Sequence, residues 1–360
     1  MVQVSIIIPS YNAQNTIYKV LDSIKNQKNI SFEVLLVDDY PKKPLVGVQK
    51  YFFVKYIKNE KNLGLSKSIN KGLKYAKGKY VMILHDDCVL VGLNWFEKTI
   101  SKFEDPLAGA VIGEHVIKYN SLSALNKVFS YIYGLGIDID DSKGKGFKEV
   151  KHLGDKCDVF RKDYLVNLGA FDESFKTAGE DTEISSRILK DGKKIFLNHD
   201  AKVIHLFSET ERQSSILTHM KKAIQLNRNG IIAFLKTGSK YKLDMLFVWF
   251  LLLFSLLGFV PYFMFSLLAF PFALPLGLFS AVLALVLNYS IGVGFILIPL
   301  IYLFIKSLLK AKRAFIDKKE FNLLPLFVLI FSMLWDLLAG LAWGYGIIRF
   351  IINWIKKFFS

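Results

Sequence analysis

An uncharged stretch in the second half of the chain constrains its fold more than any other feature. From Met245 to Ile305 the sequence contains no charged residue, and this run is longer than the roughly 20 apolar residues that one bilayer crossing requires. A second apolar run, from Phe321 to Ile348, contains only Asp336 as a charged residue. These runs predict membrane-spanning helices, so the chain is expected to be an integral membrane protein with a polar N-terminal part.

The number of spans depends on how the first apolar run is divided. Its best turn is the segment PFALP at residues 271–275, and a division there predicts three spans in total. Three spans place the basic loop Lys310–Glu320 on the same side of the membrane as the N-terminal part. Four spans are the alternative, and they place Arg349 and the last lysines on that side instead.

The charge distribution favours a membrane partner over nucleic acid. The formal net charge is +16, but no nucleic-acid recognition motif accompanies it. Basic clusters flank the apolar runs instead, as expected for anionic lipid headgroups and cytoplasmic loops. Cys88 and Cys157 provide no disulfide framework, and the first residues do not resemble a signal peptide. We therefore expect a protein of the cell membrane whose polar domain faces the cytoplasm.

Residues 1–205 alternate short apolar runs with amphipathic ones, which is typical of a doubly wound, mostly parallel α/β sheet covered on both faces. The helices predicted from a 3.6-residue period are Ala13–Asn26, Leu65–Ala76, Trp95–Phe103 and Asp181–Lys190. The predicted strands are Val4–Ile8, Glu33–Val37, Phe52–Tyr56, Lys79–Leu84, Lys194–Leu197 and Lys202–Ile204. After them, residues 208–243 are expected to form a basic, amphipathic connector that lies at the membrane interface or on an ordinary protein surface.

Two acidic pairs follow predicted strands, in LLVDD at residues 35–39 and in MILHDD at residues 82–87. Ligands bind beyond the carboxyl ends of the strands in such sheets, so these pairs are expected to share one cleft. Unpaired carboxylates in a shared cleft cost several kcal/mol each, and a cation offsets this cost. Mg²⁺ or Mn²⁺, bound by one or two carboxylates and a substrate diphosphate, is the expected cation. A third acidic segment, GEDTE, opens a predicted helix, where acidic residues also favour the helix dipole.

These segments, in their order along residues 3–205, resemble the inverting glycosyltransferases of family 2, which have the GT-A fold. The quoted motifs are VSIIIPSYN, LLVDD, KNLGLSKSIN, VMILHDD, LGAFDESF, GEDTEISSR and AKVIH. The resemblance implies a Rossmann-like nucleotide-diphospho-sugar transferase domain at residues 1–207. The connector at 208–243 and an all-α transmembrane region at 244–360 follow it.

The resemblance also assigns roles to individual residues. It implies that Asp181 is the catalytic base and that Asp87, together with His205, meets the metal ion. It further implies a set of residues that bind the substrates, in most cases the nucleotide-sugar donor: Pro9, Tyr11, Asn12, Asp39, Asn62, Gly64, Asn70, Asp86 and Glu180. Among these, Asp39 is expected to reach the base of the nucleotide.

Two positions depart from the family pattern. His85 stands where the first aspartate of a D-x-D motif is usual, which puts the number of protein ligands to the metal in doubt. Ile69 replaces a basic residue that is common before Asn70, so Lys67 is the alternative source of positive charge.

The expected activity is metal-dependent, inverting transfer of a sugar from a UDP-, GDP- or dTDP-linked donor to a hydroxyl of a lipid-linked or cell-surface glycan. One alternative is a polyprenyl- or dolichyl-phosphate sugar synthase, whose phosphate acceptor is already ionised and needs no base. A second alternative, of another class, is a catalytically degenerate membrane subunit. The GED motif with its downstream histidine favours the hydroxyl acceptor.

Overall fold

The computed structural model describes residues 2–40, 42–116, 123–133, 144–154, 156–206, 215–237, 300–308, 311, 327–328, 330–334 and 336. The chain divides into two compact units. The first comprises Met1–Ser130, Gly134–Ile216 and Ile232–Tyr241, and the second comprises Tyr131–Tyr133, Leu217–Ile231 and Lys242–Ser360. Most of the region predicted to span the membrane, residues 244–360, lies outside the described residues. Within the described part of the chain, no helix is both long enough and apolar enough to cross a membrane.

The first unit is an α/β domain built on one sheet. Its strands are β1 Val4–Ser10, β2 Phe32–Asp38, β3 Val54–Lys58, β4 Tyr80–Leu84, β5 Cys88–Leu90, β6 Ala108–Val116, β7 Phe147–Val150, β8 Cys157–Arg161 and β9 Lys194–His205. The helices of the described residues are α1 Ile17–Lys25, α2 Leu65–Leu73, α3 Trp95–Ile100, α4 Ala124–Tyr133, α5 Lys162–Asn167, α6 Glu180–Lys190 and α7 Ile216–Thr237, with 3₁₀ turns at Val48–Lys50 and Ser101–Glu104. Residues Tyr131–Tyr133 of α4 and Leu217–Ile231 of α7 belong to the second unit.

The sheet of the described residues is mixed, with the strand order β3-β2-β1-β4-β8-β6-β9-β5 and β7 paired to β9. The pairs β1–β2, β1–β4, β2–β3 and β6–β9 are parallel, whereas β8 runs antiparallel to both β4 and β6. Strands β1, β2, β3, β4, β6 and β9 therefore all point in one direction. The predicted, mostly parallel arrangement is correct for these strands, but the prediction missed the parallel strand β6 and the antiparallel strands β5, β7 and β8.

Both faces of the sheet are covered, as predicted. Ile6 and Ile8 pack on one face with the buried side of α1, and Ile7 packs on the other face with α2 and α6. Successive side chains of a strand point to opposite faces, and the fully buried run of β1 therefore contributes to both layers. Each of these side chains is completely buried, which is typical of a strand in the centre of a parallel sheet.

Strand β9 corrects the prediction of two separate strands, Lys194–Leu197 and Lys202–Ile204. It is continuous, but its register against β6 jumps from Asn198 opposite Gly113 to Lys202 opposite Glu114. The residues between the two registers form a bulge, which bends a strand and re-aims the residues that follow it. Because the bulge interrupts the apolar pattern, the sequence indicated two strands instead of one.

Several predicted boundaries are also wrong. Strand β3 covers Val54–Lys58 rather than Phe52–Tyr56, because Tyr51 and Phe53 pack as a turn before the strand. Helix α1 begins at Ile17 rather than Ala13, since residues 14–16 form a turn in which the Ile17 N–H donates to the Ala13 carbonyl. Amphipathic spacing alone does not distinguish such a turn from the first turn of a helix.

Helix α7 lies within the predicted connector. Its apolar residues Ile216, Leu217 and Ile224 are exposed, and Lys221 and Lys222 are exposed beside them. Exposed apolar and basic side chains therefore occur together on this helix, and whether it lies at a membrane interface or on an ordinary protein surface stays a prediction.

Candidate active site

The acidic turn Asp86–Asp87 lies between β4 and β5, at the carboxyl end of β4. Strand β5 then pairs with the end of β9 and places Cys88 opposite His205. In this register the Leu206 N–H donates to the Asp87 carbonyl over 2.7 Å. The imidazole Nε2 of His205 lies 2.9 Å from Asp87 Oδ2. The two residues predicted to meet the metal are therefore in direct contact, although 118 positions separate them.

The two carboxylates of this turn differ in their electrostatics. Burial by itself raises the pKa of Asp87, but the adjacent His205, with Lys156 and His85 nearby, holds that pKa well below its usual range. Burial and the charge of Asp87 raise the pKa of Asp86 to about 7, despite a 2.9 Å hydrogen bond from the Tyr11 N–H to Asp86 Oδ2. The turn therefore holds its second negative charge less readily than its first.

The donor atoms fit a divalent cation held partly by its substrate. No group of three or more His, Cys, Asp or Glu side chains in the described residues is arranged to hold a metal. Asp87 offers a carboxylate and His205 an imidazole, and these two groups lie next to each other. Mg²⁺ is often bound by one or two carboxylates together with substrate phosphates, and carboxylates also suit Mn²⁺. Asp87 with His205 is therefore the part of the site that fits such an ion.

The end of β1 forms a second wall of the cleft. Pro9 is buried at the end of the strand, opposite Val37 of β2. Tyr11 is 55% exposed, and its ring centroid lies 4.7 Å from that of Tyr40. Asn12 adopts a left-handed backbone conformation with φ of 60°, which asparagine tolerates better than most residues. Sequence reasoning missed Tyr40, although it directly follows the first acidic pair.

The first acidic pair, Asp38–Asp39, is turned into the domain. Asp39 Oδ1 accepts hydrogen bonds from Asn59 Nδ2 (2.9 Å) and the Leu63 N–H (2.7 Å), and its Oδ2 accepts from the Gly64 N–H (2.8 Å). Asp39 therefore shapes the loop that contains Asn62, whose side chain is exposed. The predicted contact of Asp39 with a nucleotide base remains a prediction, and Asn59, a residue that sequence reasoning missed, shares its carboxylate.

Asn70 holds a loop in place. Its Nδ2 donates to the Phe171 carbonyl over 2.8 Å, and the Phe171 N–H donates back to its Oδ1 over 3.1 Å. This pair of hydrogen bonds fixes the loop of the LGAFDESF segment against α2. The predicted position of Asn70 beside the donor remains untested. The structure shows in addition that Asn70 joins α2 to the loop that contains Phe171.

Gly64 lies where the start of α2 contacts the loop before α6. It begins α2 with φ of 89°, and the next residue, Leu65, donates its N–H to the Lys176 carbonyl over 2.7 Å. A Cβ at Gly64 would lie 2.9 Å from both Cα and O of Lys176. The loop that precedes α6 therefore packs directly on the Gly64 backbone.

Replacing Gly64 by alanine should therefore separate the start of α2 from the loop before α6. The positive φ and the backbone clash each oppose the new Cβ, and we expect a loss of about 1–3 kcal/mol in the free energy of unfolding. Denaturant unfolding of the variant checks this value. The variant Gly92→Ala is the matched control, because Gly92 has φ of 85° but no atom within 4 Å of the added Cβ. A loss at Gly64 no larger than that at Gly92 would show that the packing on Lys176 is unimportant.

The acidic residues at the start of α6 lie in different environments. Glu183 is buried, and its carboxylate forms an ion pair of 2.6 Å with Arg187. Arg187 also donates to the carbonyls of Leu168 and Ala170, so this pair ties α6 to the preceding loop. Glu180 is also buried, whereas Asp181 is half-buried. Among these acidic residues, Asp181 is therefore the most accessible candidate for contact with an acceptor.

The topology places these groups at one edge of the sheet. Strands β4 and β9 point the same way, so Asp87, which follows β4, and His205, the last residue of β9, both lie at carboxyl ends. Helix α6 packs against β9 and precedes it in the chain, so its first residues lie at the same edge. The loop at Gly64, which follows β3, is fixed to this region through Lys176.

Comparison with known proteins identifies the domain. Residues 5–168 match the profile of Glycosyl transferase family 2. This part of the chain is a glycosyltransferase family 2 domain. The match agrees with the predicted resemblance, although Asp181 and His205 lie beyond the matched segment.

Two curated relatives extend the similarity of this glycosyltransferase domain. The minor teichoic acid biosynthesis protein GgaB of Bacillus subtilis is 31% identical over an alignment of 265 positions that covers 67% of this chain and 26% of that protein. The GalNAc(5)-diNAcBac-PP-undecaprenol beta-1,3-glucosyltransferase of Campylobacter jejuni is 28% identical over 60% of this chain and 67% of its own length. This chain also spans about a third or less of the length of several other curated relatives.

The fold of the glycosyltransferase domain is also found in a solved structure. The crystal structure of GalNAc-T7 with UDP, GalNAc and Mn²⁺ aligns with a TM-score of 0.50 and 16% identity, over 65% of this chain and 48% of that one. At this identity the likeness concerns the fold alone. It supports the mixed α/β, GT-A-like architecture expected from the sequence.

Proposed function

We propose that this chain is a membrane-bound, inverting glycosyltransferase that moves a sugar from a nucleotide-diphosphate donor to a hydroxyl of a lipid-linked or cell-surface glycan. The observation that carries the proposal is the contact of Asp87 with His205 at the carboxyl edge of the sheet. A turn with two carboxylates and a histidine, placed at the ligand-binding edge of such a domain, suits a diphosphate and its divalent cation.

The donor is proposed to lie along the ends of β1 and β4. Tyr11 and Tyr40 present an aromatic pair beside Asp86, and flat apolar rings suit a nucleotide base. Asp87 and His205 would hold Mg²⁺ or Mn²⁺. When bound, this ion neutralises the negative charge that develops on a diphosphate leaving group. The domain itself orients the donor, and its buried strands exclude water from the side of the donor that faces the sheet.

The acceptor is proposed to approach from the start of α6. A hydroxyl is a weak nucleophile, so a carboxylate has to take its proton during the attack. Asp181 fits this role because it is half-buried at the start of the helix, while Glu183 is already paired with Arg187. One direct displacement then inverts the anomeric carbon and forms no covalent enzyme intermediate.

The acceptor class rests on the apolar runs and on the relatives. The C. jejuni relative is named for an undecaprenol-linked acceptor and the B. subtilis relative for teichoic acid biosynthesis. The run from Met245 to Ile305 is long enough for membrane spans. We infer three spans, with four as the alternative, and a catalytic domain on the cytoplasmic side. Cys88 and Cys157 are buried and are not joined in a disulfide, which supports a reducing compartment.

Two alternatives make different predictions. A polyprenyl-phosphate sugar synthase has an ionised acceptor, so its rate does not depend on a base at Asp181. A catalytically degenerate membrane subunit neither transfers nor hydrolyses the donor. His85 departs from the D-x-D pattern and favours this second alternative, but the close contact of Asp87 with His205 opposes it.

A screen of nucleotide-sugars for metal-dependent hydrolysis by the full chain tests the proposal. We expect one donor, or one group of related donors, to be hydrolysed slowly in Mg²⁺ or Mn²⁺ and not in excess chelator. Release of the nucleoside diphosphate is the measurement. Absence of both turnover and donor binding across the UDP-, GDP- and dTDP-linked sugars would favour the degenerate subunit.

A further inference from the structure

The connection between β2 and β3 exposes apolar and basic side chains together. Val46 is 75% exposed and Phe52 is 92% exposed, more than any other large apolar side chain in the described residues. Between Asp39 and Glu60 the sequence has no acidic residue and five lysines: Lys42, Lys43, Lys50, Lys55 and Lys58. We refer to residues 42–53 as the basic–apolar loop.

Three buried side chains anchor the basic–apolar loop to the domain. Leu45, Val48 and Tyr51 are 3%, 0% and 6% exposed, and all belong to the core on one face of the sheet. The Tyr51 hydroxyl also donates to Asp22 Oδ1 over 2.8 Å. The anchors alternate with the exposed residues, so the exposure of Val46 and Phe52 is part of a packed structure rather than the result of a frayed end.

Protection of the sheet edge against pairing with another chain explains the lysines of this region but not its exposed apolar side chains. β3 is the edge strand of the sheet, and lysines on an edge strand discourage pairing with another chain. Lys55 and Lys58 fit that explanation. A fully exposed phenylalanine does the opposite, because exposed apolar side chains promote association. A function that uses apolar and basic groups together accounts for both.

The basic–apolar loop begins beside the proposed nucleotide site. Asp38 accepts hydrogen bonds from the Tyr40 N–H (3.0 Å) and the Leu45 N–H (2.9 Å), and the Tyr40 ring packs on Tyr11. The same carboxylate therefore anchors both an aromatic residue of the cleft and the start of the loop. A surface that holds this loop would also hold the cleft close to it.

We propose that the basic–apolar loop docks the catalytic domain onto an anionic lipid surface. Phe52 and Val46 enter the boundary between headgroups and acyl chains, and Lys42, Lys43 and Lys50 lie among the anionic headgroups. Apolar side chains flanked by lysines are the pattern of interfacial membrane contacts. This docking requires neither donor nor acceptor, so it goes beyond sugar transfer and can be tested without it.

The experiment places a polarity-sensitive fluorophore on Phe52→Cys in the full chain, reconstituted into vesicles without any donor. Cys88 and Cys157 are buried, so labelling is directed to the new thiol. We expect a blue-shifted emission and quenching by a lipid-soluble quencher in vesicles rich in phosphatidylglycerol, and neither in pure phosphatidylcholine. Leu107→Cys is the matched control, since Leu107 is 45% exposed and precedes β6, and its probe should respond in neither.

Replacement of Lys42, Lys43 and Lys50 by glutamine tests the basic part of the loop. Each lysine near an anionic surface contributes about a fivefold preference, so the three changes together should weaken docking by about 100-fold and abolish the blue shift. Donor hydrolysis and the circular dichroism spectrum should not change. Equal responses of the Phe52 and Leu107 probes, or equal responses in the two lipids, would overturn the proposal. A shift caused by soluble polyphosphate but not by vesicles would instead assign the loop to a polyanion.

Discussion

Asp181→Asn should lower the rate of sugar transfer by about 10²–10⁴-fold, which is the usual effect of losing a general base. Asparagine keeps the size of the side chain and its place at the start of α6 but cannot accept the proton of a hydroxyl. Binding of the nucleotide-sugar should barely change, because the proposed donor contacts come from the ends of β1 and β4. Transfer kinetics and equilibrium donor binding, measured on the same preparation, check both parts.

The matched control for this variant is Asp163→Asn. Asp163 is the second residue of α5, as Asp181 is the second residue of α6, and it is exposed. The control therefore makes the same chemical change at an equivalent helix position, and it should transfer sugar at the wild-type rate. Near-normal transfer by Asp181→Asn would indicate an acceptor that is already ionised. That result would favour the polyprenyl-phosphate sugar synthase.

Asp87→Ala should remove nearly all turnover, by at least about 10²–10³-fold, because the group that stabilises the developing charge of the leaving group is lost. The change also leaves His205 without the carboxylate that lies 2.9 Å from its Nε2. Donor binding should weaken mainly when metal ion is present, and titration with Mn²⁺ should show lower affinity for the ion. Rate, donor affinity with and without metal, and Mn²⁺ affinity are the measurements.

Asp200→Ala is the control for the effect at Asp87. Asp200 lies on β9, the same strand as His205, but it is exposed in the bulge and accepts a hydrogen bond from the Gly146 N–H. Its loss should leave the metal dependence of turnover unchanged. Full activity of wild-type protein in excess chelator would contradict the proposed role of the ion, whatever the effect of the substitutions.

The sequence was sufficient to predict the type of domain and to select Asp87 and His205, which the structure brings into contact. Short, branched apolar runs such as Ile6–Ile8 identify central strands, because only a strand covered on both faces can bury consecutive apolar residues. The motif order, through the family resemblance, also predicted that Asp181 acts in the same site as Asp87 and His205, and this role of Asp181 stays a prediction. An apolar run is a local feature and a motif order depends only on positions along the chain, so both can be read from the sequence alone.

The sequence did not predict the strand pairings that bring distant residues together. The contact of Asp87 with His205 depends on the antiparallel register of β5 against β9 and on the bulge of β9 near Lys202. The short β5 and the glycine-containing β6 carry little periodicity, and an irregular register has no signature in one sequence. The strands that complete the sheet were therefore the ones missed.

Side-chain direction was likewise decided only by tertiary structure. Asp38–Asp39 and Asp86–Asp87 are the same dipeptide after the same kind of strand, yet Asp39 is bonded to the loop at Leu63 and Gly64, whereas Asp87 meets His205. The sequence determined that carboxylates stand at the edge of this sheet. Packing determined which of them faces the cleft, because a buried carboxylate turns toward whichever donors the fold brings within hydrogen-bonding distance.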